Sequence, residues 1–291
     1  MKPAAFSYFA PRDLDEALHL LAHHAPDAKP LAGGQSLVPM MNFRLAQPRV
    51  LIDLNRVAAL SFVNDANGVL VLGAMLRQAA AERDHRLSAA VPLLADALPL
   101  VGHETIRHRG TIGGTLAHAD PAAEIPAVAL ALGAELVVRS TRGERVISAD
   151  QFFLGPLMTA LEPDEMLIAV RIPRMPPRTG TAFLELSRRH GDFAIVGVAA
   201  QVTLDESGRI AQAALALCGV GPTPVRARQA EVALAGAEPT DEQFRAAGAL
   251  AAQEIDPASD IHASADYRRR IAAVLVRRAL TQAAQRAQGR S

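Results

Sequence analysis

Three prolines within five residues, Pro173, Pro176 and Pro177, govern how this chain can be divided. Proline lacks a backbone N–H and fixes φ, so no sheet ladder or helix runs through such a cluster. The 291 residues therefore split into a longer N-terminal part and a shorter C-terminal part. That length exceeds one typical domain and suits two or three small ones.

The N-terminal part alternates short strands with helices. Phe6–Pro11 starts extended, and Asp13 caps a helix with Glu16 three residues on, in capping-box position. Leu14, Ala17, Leu18 and Leu21 form its apolar stripe. A glycine turn at Leu31–Leu37 precedes a strand at Val50–Leu54. A second block holds strands at Val69–Leu72, Glu135–Arg139 and Met166–Ile172, and a hairpin turn at Thr141–Glu144. Between them lie helices at Ala79–Asp84 and Val91–Leu98, a glycine-rich loop at Gly110–Thr115 and a buried helix at Ile125–Leu132. Past the prolines come strands at Ala182–Ser187, Ala194–Leu204 and Ile210–Cys218, then helices at Arg226–Ala235, Asp241–Glu254 and Tyr267–Ala287. The expected fold is α+β, with mixed subdomains at 1–57 and 58–175 and a three-stranded sheet with helices at 178–285.

Composition removes several functions. Formal net charge is zero and the pI is about 7.2, which leaves no nucleic-acid footprint. Apolar runs such as Ile125–Leu132 are too short to span a bilayer, and no secretory signal opens the chain, so a cytoplasmic protein is expected. Cys218 is the only cysteine, so the chain cannot build an intrachain disulfide, a zinc ribbon or a four-cysteine iron–sulfur site. Electrons, if handled at all, require an organic cofactor or another chain.

Two loops carry the functional signal: Ala32-Gly33-Gly34-Gln35-Ser36 and Thr111-Ile112-Gly113-Gly114-Thr115. Glycine lets a ligand approach the backbone, and consecutive N–H groups can converge on an anion. Hydroxyls of Ser36, Thr111 and Thr115 and the Gln35 amide add donors. The natural guest is a phosphate or diphosphate, although either loop alone also reads as an ordinary tight turn. Neither follows the G-x-G-x-x-G or G-x-x-x-x-G-K-[ST] pattern.

The two loops resemble the flavin-binding signatures of the CO dehydrogenase medium subunit and the xanthine dehydrogenase flavin domain. The likeness extends through Phe6–Leu21, Gly191-Asp-Phe-Ala194, Tyr267-Arg-Arg and Val276-Arg-Arg-Ala-Leu280. It implies a PCMH-type FAD-binding fold with a CO dehydrogenase flavoprotein-like C-terminal domain. FAD would lie between the two N-terminal subdomains, with Ala32 through Ser36 and Thr111 through Thr115 on its diphosphate and Leu37 near the flavin. By the same resemblance Val101 packs near adenine, Glu124 reaches cofactor hydroxyls and Leu167 gives an apolar contact. Phe193 would flank the isoalloxazine; the alternative, weighed evenly, is a core phenylalanine at a strand start. Where relatives carry tyrosine there, phenylalanine puts any role of the hydroxyl in doubt.

The resemblance further implies a large molybdopterin subunit and a small [2Fe–2S] subunit as partners, in a dimer of heterotrimers. NAD⁺, a quinone or O₂ would be the electron acceptor. Rival readings are a self-contained flavin oxidoreductase and a non-redox nucleotide-binding scaffold. The related branch with an iron–sulfur cluster in this subunit is excluded by the single Cys218.

Other polar residues read as structural. His103 and His108 are five apart, about 140° around a helix, and cannot form H-E-x-x-H. His118 either touches the cofactor or makes a structural hydrogen bond, the latter being favoured. Arg188 and Arg189 read as a solvated edge, and Arg268, Arg269, Arg270, Arg277 and Arg278 as a solvated helix face or subunit contact. Cys218 reads as a buried apolar residue. Asp120 and Glu124 show no partner that would make them a catalytic pair.

Overall fold

A computed structural model describes residues 2–66 and 68–289. The first unit comprises β1 (Ser7–Phe9), α1 (Leu14–His24), β2 (Ala28–Leu31), α2 (Leu37–Asn42) and β3 (Val50–Asp53). Its strands are parallel in the order β1-β3-β2, which the two helical crossovers permit. Asp13 caps α1 by accepting from the Glu16 N–H at 2.7 Å. The Glu16 carboxylate reaches back to the Arg12 N–H at 3.2 Å, one residue earlier than in a strict capping box. Ala17, Leu18 and Leu21 are buried against Ile52 and Val50, as the stripe predicts.

The second unit opens with β4 (Val63–Ala66) and β5 (Val69–Gly73). Six helices follow: α3 (Gln78–Arg83), α4 (His85–Ala90), α5 (Pro92–Ala97), α6 (Glu104–Arg107), α7 (Ile112–His118) and α8 (Glu124–Ala131). Then come β6 (Glu135–Ser140), β7 (Gly143–Ser148), α9 (Ala149–Phe152), β8 (Phe153–Gly155), β9 (Met158–Thr159) and β10 (Met166–Pro173). The main sheet is antiparallel in the order β4-β5-β10-β6-β7. Every residue of α8 is buried, so its all-round apolar sequence reports a core helix. The glycine-rich segment expected as a loop at Gly110–Thr115 is instead a cap and first helical turn, with Thr111 as N-cap of α7.

The C-terminal unit holds β11 (Thr179–Leu186), β12 (Val196–Leu204), β13 (Ile210–Cys218), β14 (Val225–Arg226), α10 (Arg228–Leu234), α11 (Asp241–Glu254) and α12 (Ala265–Ala287). To the three long strands expected, the structure adds the two-residue strand β14 at the sheet edge. Side chains alternate across a strand, and both faces of this sheet are covered. Ala182, Val198, Val202, Leu215 and Leu217 pack on Ala272, Val276 and Leu280 of α12. Phe183, Ala199, Ala216 and Cys218 join the second unit's core with Ile125, Val128 and Leu130. The proline cluster bridges β10 and β11, which lie in different sheets.

Arg268 corrects the reading of the C-terminal arginines as a solvated face. Its guanidinium is buried, donating to the carbonyls of Ile195 at 2.6 Å and Gly219 at 2.9 Å and pairing with Asp260. Arg277 does lie at the surface, paired with Asp241.

Candidate functional site

The two glycine loops are in contact. Gly33 lies against the backbone of Arg109 and Gly110; a Cβ there would come within 2.9 Å of the Gly110 Cα. A Cβ on Gly114 would sit 2.6 Å from Thr111 Oγ1 and 3.3 Å from the Ala32 Cβ. A polar clamp behind them fixes the approach. Asn55 Nδ2 donates to the Ala32 carbonyl at 3.0 Å, and Arg77 donates to Asn55 Oδ1 and the Arg109 carbonyl. Arg77 also bridges backbone to backbone with Thr111.

Their amides have different fates. In the first loop, none of the N–H groups of Gly33, Gly34, Gln35, Ser36 and Leu37 donates to a protein acceptor among the described residues; Val38 is the first that does, to the Gly34 carbonyl. Gly34 takes a φ of +73°, which its missing Cβ allows. In the second loop the Ile112 N–H is held by the Leu76 carbonyl, Gly113 by Ala74, Gly114 by Thr111 Oγ1 and Thr115 by Thr111. The expectation that both loops offer free amides is thus corrected for the second: its glycines serve packing. A Cβ on Gly113 would run into the Ala74 backbone.

Gln78 was missed, since no local pattern marks it. Its Nε2 donates to Thr115 Oγ1 at 2.8 Å, and its buried Oε1 has no hydrogen-bond partner. Asn55 and Arg77 were missed for the same reason: their role depends on carbonyls far away in sequence.

The remaining expected residues fall into two groups. Val101 and Leu167 are buried in one core with Leu76, Ile112 and Leu116, alongside the second loop. Phe193 is 62% exposed, which overturns the alternative of a core phenylalanine. It lines a cavity of about 660 Å³ with Asp120, Arg188, Asp192 and Gly219. Gly191, at φ +88°, packs on the His103 ring and places this segment beside the second unit.

His118 ends α7, and its ring makes no hydrogen bond among the described residues, against the structural role favoured from sequence. Burial lowers its pKa, with the Asp120 charge opposing. Glu124 is 3% exposed, and burial pushes its carboxyl up to about 7. Glu185 on β11, unnoticed in the sequence, is raised to about 8 by burial and by the Glu124 charge. Cys218 is fully buried, as expected.

Two sheet units meeting at glycine turns, with a run of unspent amides between them, make a candidate site for a phosphorylated ligand. Residues 4–175 match the family described as FAD binding domain in molybdopterin dehydrogenase, and residues 181–283 match the CO dehydrogenase flavoprotein C-terminal domain. The chain belongs to this family, as an FAD-binding subunit of the molybdenum hydroxylase type and so an oxidoreductase flavoprotein. It is 41% identical over 287 residues to the 6-hydroxypseudooxynicotine dehydrogenase complex subunit alpha of Paenarthrobacter nicotinovorans, covering 99% of this chain and 97% of that one. Identity to the carbon monoxide dehydrogenase medium chain of Hydrogenophaga pseudoflava is 39%, over 97% of this chain and 98% of that one. The solved structure of reconstituted CO dehydrogenase from Oligotropha carboxidovorans superposes with a TM-score of 0.96 at 36% identity, over 98% of this chain and 100% of that one. No helix among the described residues is long and apolar enough to cross a membrane.

The residues fit FAD. The unspent amides of Gly33–Leu37 suit a diphosphate, and the orphaned Gln78 Oε1 and the buried Glu124 carboxyl suit hydroxyl or N–H donors.

Proposed function

We propose that the amides of Gly33, Gly34, Gln35, Ser36 and Leu37 hold the FAD diphosphate, with Thr111, Ile112, Gly113, Gly114 and Thr115 forming the rigid wall behind it. The observation that carries this reading is the run of unspent N–H groups pressed against a second glycine turn whose Ile112–Thr115 amides are all bonded within the protein. Amides without a protein acceptor stand ready to donate to an anion. Val101 and Leu167 supply the apolar seat for adenine, Glu124 meets cofactor hydroxyls, and His118 and Phe193 border the cofactor nearer the large cavity. The division into 1–57, 58–175 and 178–285 lets the first two units close on the dinucleotide while the third braces α8.

When bound, FAD supplies the redox chemistry, linking [2Fe–2S] clusters of a partner subunit to an external acceptor such as NAD⁺, a quinone or O₂. The chain's own residues bind, orient and keep water out; none is needed as a nucleophile. A large molybdopterin subunit and a small [2Fe–2S] subunit complete the complex, a dimer of heterotrimers in the cytoplasm. The test is an absorbance spectrum of the purified protein with its co-purifying chains identified. Flavin bands and two such partners are expected. A protein still colourless after added FAD, or one that oxidises an organic substrate unaided, overturns the reading.

A further inference from the structure

β11 ends at Leu186 and β12 starts at Val196, and the residues between them form an arm that carries Phe193. The Ile195 N–H closes the base of the arm on the Leu186 carbonyl at 2.8 Å. Beyond that base Arg188, Arg189, His190, Asp192 and Phe193 are exposed. Within the arm, the Asp192 N–H and the Ser187 hydroxyl both donate to the Arg189 carbonyl. Gly191 rests on the His103 ring of the second unit. An exposed segment of this kind keeps an aromatic ring in one place only if its root is fixed.

Arg268 sits at that root. Its Nη1 donates to the carbonyls of Ile195 and Gly219, and its Nη2 donates to Asp260. All three acceptors line the large cavity, as does Arg268 itself. They come from separate segments: the base of the arm, the β13–β14 connection and the loop before α12. The Gly219 N–H donates in turn to the Pro121 carbonyl at 2.8 Å, which carries the tie to the segment before α8. A Cβ on Gly219 would stand 2.6 Å from the Ile195 oxygen, so the two backbones touch. Carbonyl oxygens brought together repel, and a cation that donates to both turns the contact into an attraction. A guanidinium fork can do this while it pairs with a carboxylate; a single ammonium cannot hold the same spread. Building on the reading of Phe193 as a neighbour of the flavin, we propose that Arg268 is a positioning residue. It roots the Phe193 arm through the Ile195 carbonyl, and so fixes how closely that ring shields the flavin from solvent.

Arg268→Lys keeps a charge beside Asp260 and gives up the fork. In the flavin-free full chain, trypsin should cut after Arg188 and Arg189 about tenfold faster, the rise in open population that losing one hydrogen bond to a charged group brings. Mass spectrometry reads the cut sites. Cuts after Arg245 on α11 should keep their wild-type rate, because the release is local. In the FAD-loaded chain, iodide quenching of flavin fluorescence should rise severalfold in Arg268→Lys and in Phe193→Ala. The double variant should quench no more than Phe193→Ala alone, since one residue acts through the other. Asp260→Asn keeps the turn bonds to the His262 and Ala263 N–H groups and drops the charge that holds the guanidinium. Read the same way, it covers the case in which Arg268→Lys fails to fold. Unchanged cutting in the arm, or equally faster cutting after Arg245, overturns the root. A released arm with unchanged quenching, or quenching that adds in the double variant, overturns the shielding. No FAD uptake by the wild-type chain overturns the functional reading and the shielding with it, and the digestion decides the root independently.

Discussion

Ala32–Leu37 and Thr111–Thr115 each set two glycines beside a hydroxyl residue, and the chain uses them in opposite ways. In the first, the strand β2 ends and the amides of Gly33–Leu37 find no protein acceptor before α2 begins. In the second, Thr111 caps α7 with its own hydroxyl, 3.0 Å from the Gly114 N–H, and the neighbouring amides bond to Ala74 and Leu76. Paired glycines therefore report close backbone approach, not an anion site as such. Whether the amides stay free depends on what the flanking segments offer them.

The strongest way to break this contrast is Gly33→Val. A branched side chain there is forced into the Arg109 carbonyl and the Gly110 Cα, neither of which can yield without parting the loops. Overpacking of this kind costs about 1–3 kcal/mol. Flavin content should fall below roughly a tenth of wild type, since 1.4 kcal/mol is already tenfold in binding, and the melting temperature should drop as well. A variant with full flavin and an unchanged melt would show that the loops are not wedged together.

Gly114→Val comes next. Its new carbons meet the Thr111 hydroxyl and the Ala32 Cβ, side-chain atoms with some room to give. FAD should be lost while the circular dichroism spectrum stays native. Retained FAD would mean that the second loop stands away from the diphosphate.

Much of this was legible before the structure. Asp13 with Glu16, the Leu18–Leu21 stripe and the apolar run of α8 declare themselves through local hydrogen bonding and period. Ser36, Thr111 and the glycines were found because a bare backbone is visible in sequence. The clamp of Arg77 and Asn55 and the support from Gln78 were not. Each depends on a carbonyl or hydroxyl that only the tertiary fold brings near. The fate of the amides was hidden too, because Thr111 as a cap and Thr111 as a ligand have the same sequence. Phe193 was ambiguous for a related reason: exposure depends on whether another unit covers it.

Ser36→Ala sharpens the contrast on the open side. The Ser36 hydroxyl makes no capping bond, so its loss should leave folding stability within about 0.5 kcal/mol. A hydrogen bond to a charged phosphate is worth about 1.5–3 kcal/mol, so FAD affinity should fall at least tenfold in a titration. A stability loss with unchanged affinity would reverse the assignment.

Thr111→Ala probes the closed side and should give the smallest change in binding. The hydroxyl caps Gly114 from within the protein, so removing it costs about 1 kcal/mol of stability, as N-cap losses do. At this chain length the melting temperature should fall by about 2–4 °C. The freed Gly114 amide can then turn to the cofactor, which limits the loss of FAD affinity to about threefold or less. If the substitution instead weakened FAD as much as Ser36→Ala while leaving the melt intact, the Thr111 hydroxyl would be a ligand rather than a cap, and the two loops would be alike after all.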